Sequence, residues 1–227
     1  MKKLTVIIPT LNEEKNIKPL IKEILSIYPN TNIMVADDGS TDNTKNEVLS
    51  FRSKNITFLD RSKKKIHGLT ASVIDAILHT KTPYFIVMDA DFQHPPSTIP
   101  DIAFCLESGA DLTIAYRVGK RNSLSFPRRA ISTIAHQIAS LRLTLAGKPT
   151  VPDLTSGFFG MQTTLARSII LRSKFQLEGY KVLFEFIKYA PKGTEIGLVP
   201  YKRFLKRASG RSKFGPRHIL YFLRSLI

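Results

Sequence analysis

Two carboxylates and one amide follow a single apolar run and could together bind a hard divalent cation. Asp89, Asp91 and Gln93 come directly after residues 84–88 and before His94 and two prolines. Mg²⁺ and Mn²⁺ prefer oxygen ligands, and beside a nucleotide they take one or two protein carboxylates plus phosphate oxygens. An Asp-x-Asp pair can also be a plain polar loop, but its place at the end of an apolar run favours the metal site. We expect His94 to shape this loop rather than to act as a ligand or base.

Polar residues follow two other apolar runs in the same way. Asn12 and Glu13, preceded by Leu11, come after residues 4–9, and Asp37-Asp38-Gly39-Ser40 comes after residues 32–36. The second segment could be a turn that caps a helix. Its position favours contact with a ligand instead, in which Asp38 accepts hydrogen bonds from a base or a ribose. Neither a Walker-type lysine loop nor Gly-x-Gly-x-x-Gly is present, so a metal and arginines would have to hold any phosphates.

The elements that must position these residues alternate between strand and helix. Apolar runs at 4–9, 32–36, 56–59 and 84–88 predict strands. Helical patterns start at residues 12–16, at a cap formed by Thr41 or Asp42, and at Leu69. This order predicts an α/β fold with a mostly parallel sheet covered by helices on both faces. The carboxyl ends of such strands share one edge, where ligands bind, so three polar clusters should meet there.

The second half of the chain has shorter strands and more positive charge. We predict strands at 112–115, 157–161 and 196–200, helices at 130–146 and 218–227, and basic loops at 117–129 and 207–215. Net charge is −1 over residues 1–111 and +17 over residues 112–227. The first half is therefore typical of a near-neutral enzyme domain with clustered acids, and the second half is suited to face a polyanion, which could be nucleic acid, anionic lipid or a phosphorylated substrate.

The cysteine count, the lengths of the apolar stretches and the N-terminal residues indicate the compartment and the kind of membrane association. The single cysteine, Cys105, excludes an internal disulfide and suits a reducing compartment. No stretch approaches the roughly 18 apolar residues of a spanning helix, and the N-terminus lacks a signal-peptide pattern. We expect a peripheral protein at the cytoplasmic face of the cell membrane.

Several ordered motifs resemble family-2 glycosyltransferases of the Rossmann-like GT-A fold. The resemblance covers nearly the whole chain and is most specific to the branch that contains dolichyl-phosphate mannose synthases and other polyprenyl-phosphate glycosyltransferases. It rests on these segments: Val6 to Glu13, Asp37 to Asp42, Val87 to Pro96, Asp153 to Phe159, Glu178 to Lys181, and Arg207 to Gly215.

The resemblance implies one catalytic domain over residues 1–227, with a nucleotide-sugar-binding half (1–111) and a basic half (112–227) that faces the acceptor and a membrane surface. It also implies a function and a set of site residues. The expected reaction is a metal-dependent, inverting transfer of mannose from GDP-mannose to dolichyl or polyprenyl phosphate. Mg²⁺ or Mn²⁺ would be held by Asp89, Asp91 and Gln93. Asp91, Arg117 and Arg207 are the catalytic candidates, the two arginines because converging phosphates need neutralisation. The substrate-binding candidates are Pro9, Leu11, Asn12, Glu13, Ala36, Asp38, Asp89, Ala90, Arg128, Ser132 and Lys213.

Three alternatives remain open at this point. A related transferase could use a UDP-sugar and make polyprenyl-phosphate glucose or a similar product. A nucleic-acid-binding protein would explain the net charge of +16, but three acid clusters at strand ends would repel a phosphate backbone, so we expect no nucleic-acid partner. A non-catalytic nucleotide-sugar binder is disfavoured by the intact Asp-x-Asp and the basic loops.

Overall fold

A seven-stranded sheet forms the centre of the molecule. The computed structural model describes residues 3–118, 137, 140, 143–144, 147–148, 151–154, 156–177 and 181–202. The strands are β1 (Leu4–Thr10), β2 (Thr31–Asp37), β3 (Ile56–Asp60), β4 (Tyr84–Val87), β5 (Leu112–Val118), β6 (Phe159–Gln162) and β7 (Ile196–Lys202). The helices are α1 (Glu14–Ile27), α2 (Thr44–Leu49), α3 (Leu69–His79), α4 (Ile99–Glu107), α5 (Thr163–Arg172) and α6 (Val182–Tyr189), and a 3₁₀ turn (Pro96–Thr98) precedes α4.

The strand order is β3-β2-β1-β4-β6-β5-β7. The β1–β2, β1–β4, β2–β3 and β5–β7 pairs are parallel, whereas β6 runs antiparallel to both of its neighbours. Six strands therefore point the same way and one is reversed. This confirms the predicted mostly parallel sheet and the GT-A fold class.

Helices cover both faces of the sheet, as the sequence predicted. On one face, α3, α5 and α6 pack against alternate residues of the strands, among them Ile7, Phe85 and Phe159. On the other face, α1, α2 and α4 pack against the residues in between, such as Val6, Ile8 and Ile86. Successive side chains of a strand point to opposite faces, so each central strand contributes to both cores.

The reversed strand β6 lets α4 approach the sheet closely. A Cβ atom on Gly160 would lie 2.8 Å from both Ile102 and Leu106 and 3.0 Å from Ile86. Any side chain at this position would push α4 away from the sheet. The strand β6 thus fixes α4, which begins just after the candidate metal motif.

The structure differs from the predictions at five elements. The helices α4, α5 and α6 had not been predicted. The strand β5 continues through Arg117 to Val118, so Arg117 lies in a strand and not in a basic loop. The helix α2 begins at Thr44 after Asn43, not at a cap formed by Thr41 or Asp42, because the preceding turn is longer than the pattern indicated.

Other predictions fall largely outside the described residues. Of the predicted helix 130–146, only Gln137, Ser140, Leu143 and Thr144 are described, and each is helical. The basic loops after Val118 and at 207–215 and the C-terminal helix 218–227 lie outside the described residues. Among the helices that the structure does describe, none has the length and apolar character needed to cross a membrane.

Candidate active site

The loops after β1 and β2 are joined by side-chain hydrogen bonds. Asn12 adopts a left-handed conformation (φ 55°), which asparagine tolerates better than most residues. Its Oδ1 accepts the Thr41 N–H at 2.8 Å, and its own N–H donates to Ser40 Oγ at 2.8 Å. Nearby, the Glu13 N–H donates to Thr44 Oγ1 at 2.8 Å. These bonds hold the two loops together at the carboxyl edge of the sheet.

The two aspartates after β2 have different roles. The carboxylate of Asp37 accepts the N–H groups of Gly39 (3.1 Å) and Ser40 (2.8 Å) and the hydroxyl of Thr10 (2.9 Å). Asp37 therefore builds the turn, the role that the sequence had left open for this segment. Asp38 instead contacts groups that lie further along the chain.

Asp38 is held by a buried arginine. The Arg61 guanidinium, only 2% exposed, donates to Asp38 Oδ1, to Asp75 Oδ2 at 2.8 Å and to Ser72 Oγ at 2.9 Å. Asp38 also accepts the Gly68 N–H at 2.7 Å, and His67 Nδ1 lies 3.1 Å from it. A carboxylate can accept about four hydrogen bonds, so Asp38 retains capacity for one further contact.

The candidate metal motif follows β4. The Asp91 side chain is buried, and its Oδ1 accepts the Gln93 N–H at 3.0 Å, while Asp89 is partly exposed at 37%. Phe92, between Asp91 and Gln93, has a left-handed backbone (φ 62°), which turns the loop sharply. No group of three or more His, Cys, Asp or Glu side chains within the described part of the chain could hold a metal. Two carboxylates and an amide fit a Mg²⁺ or Mn²⁺ ion that takes its other ligands from a pyrophosphate.

His94 lies beneath this motif. Its Nδ1 accepts the backbone N–H of Asp89 at 2.9 Å, which places the ring proton of the neutral form on Nε2. Burial, followed by the nearby Arg117 charge, lowers the pKa of His94 to about 4, although Asp91 and Asp153 oppose this shift. His94 is therefore neutral at physiological pH and holds the loop through its backbone, as predicted.

Gly157 leaves room for the His94 ring and the Asp89 carboxylate. A Cβ atom at this position would lie 3.1 Å from His94 Cε1 and 3.2 and 3.3 Å from the Asp89 carboxylate oxygens. Ser156 fixes the preceding turn, since its Oγ donates to the Ala115 carbonyl at 2.7 Å. The segment before β6 thus packs directly against the metal motif.

A second group of charged side chains, Arg117, Asp153 and Lys181, lies near the metal motif. Arg117 extends from β5, and its Nε donates to Tyr201 Oη at 3.2 Å. Desolvation lowers the pKa of Arg117, but Tyr201, Asp153 and Asp89 together raise it above its ordinary value. Burial lowers the pKa of Lys181, at the start of α6, to about 8, while Asp153 raises it. Two cations therefore lie within electrostatic range of Asp153, next to the metal motif.

The structure brings together most of the predicted site residues that it describes. Leu11, Asn12, Glu13, Asp38, Asp89, Asp91, Gln93 and Arg117 all lie at the carboxyl edge of the sheet. Pro9, Ala36 and Ala90 are buried there, and the Ala36 side chain belongs to a hydrophobic core. Arg128, Ser132, Arg207 and Lys213 lie outside the described residues.

The sequence did not single out four residues that shape this site. Arg61 could have been found as the cation that follows strand β3 directly, and Asp153 and Lys181 lie in segments that carried the resemblance. Tyr201 gave no local signal, because its role depends on pairing with a strand that lies 84 residues earlier.

Comparison with known proteins places the chain in a family. Residues 5–170 match the family described as "Glycosyl transferase family 2". The chain belongs to this family. The predicted assignment to a family of glycosyltransferases is thereby confirmed.

Two curated relatives share the name dolichol-phosphate mannosyltransferase. The chain is 33% identical to a dolichol-phosphate mannosyltransferase of Pyrococcus furiosus over 99% of its own length, and it spans 62% of the length of that protein. It is 31% identical to the enzyme of the same name from Saccharomyces cerevisiae, covering 98% of this chain and 85% of the yeast protein.

Solved structures share the fold at lower identity. Glucosyl-3-phosphoglycerate synthase of Mycobacterium tuberculosis has a TM-score of 0.71 at 20% identity, covering 99% of this chain and 80% of that one. Its complex with uridine diphosphate has a TM-score of 0.72 at 19% identity, covering 99% and 80% of the two chains. These similarities support the GT-A fold.

Proposed function

We propose that this chain transfers mannose from GDP-mannose to dolichyl or polyprenyl phosphate at the cytoplasmic face of a membrane. The observation that carries the proposal is the juxtaposition of two sites at one sheet edge. Asp89, in the proposed site for a metal-bound pyrophosphate, lies within electrostatic range of Arg117, the proposed cation for a second phosphate, and Lys181 interacts with Asp153, which also interacts with Arg117. The relatives named dolichol-phosphate mannosyltransferase support this choice of sugar and acceptor.

The donor would bind across the loops that follow β1, β2 and β4. Asp38, fixed by Arg61, is positioned to accept a hydrogen bond from the nucleoside. Asp89, Asp91 and Gln93 would hold Mg²⁺ or Mn²⁺, which supplies charge neutralisation for the pyrophosphate and the departing nucleotide. Solved complexes of the glucosyl-3-phosphoglycerate synthase contain Mn²⁺ with UDP-glucose, which supports a divalent metal in this fold.

The acceptor chemistry explains why the site is rich in cations. A phosphate monoester is already anionic at neutral pH, since its second pKa is about 6, so no strong general base is required. Its oxygen would attack the anomeric carbon as the bond to the β-phosphate breaks and GDP leaves. One displacement inverts the anomeric configuration. Arg117 would bind the attacking phosphate and hold it against the donor, and Arg128, Ser132, Arg207 and Lys213 are proposed to contribute to this site.

A donor panel tests the proposal. The protein is heated with Mn²⁺ and each of GDP-mannose, GDP-glucose, UDP-glucose and UDP-N-acetylglucosamine, and transfer to a short polyprenyl phosphate is measured with the same donors. We expect GDP-mannose to raise the melting temperature and to support transfer with inversion. Stabilisation and transfer with UDP-glucose alone would move the assignment to a UDP-sugar-dependent polyprenyl-phosphate glycosyltransferase.

A further inference from the structure

Arg117 and the metal motif belong to different elements, yet buried side chains connect them. Arg117 lies opposite Tyr201 in the parallel register of β5 and β7. The Tyr201 ring is only 5% exposed and packs edge-on to His94, with ring centroids 6.4 Å apart, and to Phe158 at 5.9 Å. His94 stacks on Phe158 at 5.1 Å. Three rings therefore form one packed unit, which we call the aromatic support: His94, Phe158 and Tyr201.

Both ends of the aromatic support are anchored by hydrogen bonds. At one end, Tyr201 Oη accepts a hydrogen bond from Arg117 Nε at 3.2 Å. At the other end, His94 Nδ1 accepts the Asp89 backbone N–H at 2.9 Å. The path Arg117–Tyr201–His94–Asp89 is continuous, and close packing of buried aromatic rings leaves little freedom for either end to shift alone.

The bond to Tyr201 also determines which edge of the guanidinium can bind a ligand. An arginine carries five N–H donors in a planar fork, and phosphate is best bound by two parallel N–H groups. Within the described part of the chain, Nε is the only guanidinium nitrogen of Arg117 with a hydrogen bond to protein. The phenol therefore occupies the Nε position and leaves the two terminal nitrogens for an anion.

We propose that Tyr201 is a positioning residue that orients Arg117 for two-pronged binding of the acceptor phosphate and holds it at a fixed distance from the donor metal motif through His94. This inference rests on the proposed role of Arg117 in acceptor binding. Tyr201 does not touch substrate, so it acts through Arg117.

The Tyr201→Phe variant tests this inference because it removes one hydroxyl and keeps the ring that packs on His94. With GDP-mannose saturating, we expect the KM for a short polyprenyl phosphate to rise about 10-fold or more, which is the lower end of the loss expected for one hydrogen bond to a charged group. The KM for GDP-mannose and the melting temperature should change little. Tyr189→Phe is the matched control, since its hydroxyl donates to the Lys174 carbonyl at 3.1 Å on another part of the surface; it should leave both KM values unchanged.

A double-mutant cycle separates this inference from the proposed function. If Tyr201 acts through Arg117, then Tyr201→Phe should have no further effect in an Arg117→Ala background. A defective Arg117→Ala with a normal Tyr201→Phe would overturn the positioning role alone. An equal additional loss in the double variant, or an effect of Tyr201→Phe on the donor KM alone, would also overturn it. An unchanged acceptor KM in Arg117→Ala would overturn the acceptor role of Arg117 and this inference with it.

Discussion

At the scale of single residues, Asp91 is the carboxylate on which donor binding should depend most. It is buried beside a sharply turned backbone, and its position is fixed by the Gln93 N–H. We expect Asp91→Ala to lower transfer by roughly 100-fold or more and to weaken GDP-mannose binding in Mn²⁺, because the pyrophosphate charge loses its compensation. Calorimetry and turnover assays measure both effects. Asp101→Ala, at an exposed carboxylate of α4, is the control. Near-normal turnover of Asp91→Ala with a chelator present would contradict the metal site.

A second prediction at this scale concerns the charge of Lys181. Burial lowers its pKa to about 8, so the ammonium loses its proton as the pH rises through 8, whereas an exposed lysine stays charged to about 10. If Lys181 helps to hold the acceptor phosphate, kcat/KM for the acceptor should fall above pH 8. Lys181→Arg should move this decline to higher pH, because a guanidinium remains protonated. A pH profile that is identical in both proteins would show that Lys181 does not bind the acceptor.

At the scale of elements, the segment before β6 controls the position of the metal motif. Gly157→Ala would place a methyl group about 3.2 Å from the Asp89 carboxylate and His94, so one of them must move. We expect this variant to weaken Mn²⁺-dependent GDP-mannose binding about 10-fold. The control is Gly197→Ala in β7, where the added Cβ would lie 3.1 Å from Thr113 and 3.3 Å from Cys105, away from the site. Equal losses of donor affinity in both variants would indicate a general packing defect instead.

At the scale of the whole molecule, the uneven charge predicts salt-dependent membrane binding. Residues 112–227 carry a net charge of +17, and each basic residue near an anionic leaflet contributes about 1 kcal/mol, which salt screens. We expect binding to anionic liposomes that weakens as salt rises to physiological strength. Charge reversal of Arg128 and Arg129 to Glu should reduce liposome binding and lipid-acceptor transfer but leave GDP-mannose binding intact.

The control for this experiment changes the net charge by the same amount elsewhere. Lys15 and Lys22 are exposed on α1, so their reversal to Glu lowers the net charge equally in the other half. Liposome co-sedimentation measures both variants. Equal losses would mean that total charge, rather than the basic half, drives binding. Salt-insensitive binding to neutral liposomes would contradict the electrostatic role.

The sequence alone was enough to predict the α/β class, the parallel strands and the edge at which the acids gather. Apolar runs and helical periodicity are local properties, and the carboxyl ends of parallel strands necessarily meet at one edge. For this reason Asp38, Asp89 and Asp91 could be placed together from their positions after β2 and β4. The helix α6 was missed because it has only eight residues, and a short apolar run such as Val182 to Ile187 cannot be told from a buried strand by periodicity alone.

Only the tertiary structure decided how these residues are held. Arg61 reaches Asp38 across 23 residues, and Arg117 meets Tyr201 across 84. The role of Asp37 as a turn former, and that of Asp38 as the partner of a buried arginine, likewise depended on neighbours in space. Such contacts depend on which strands pair and in what register, and that pairing is settled by packing of the whole chain. The local periodicity of the sequence does not specify which strands pair or in what register.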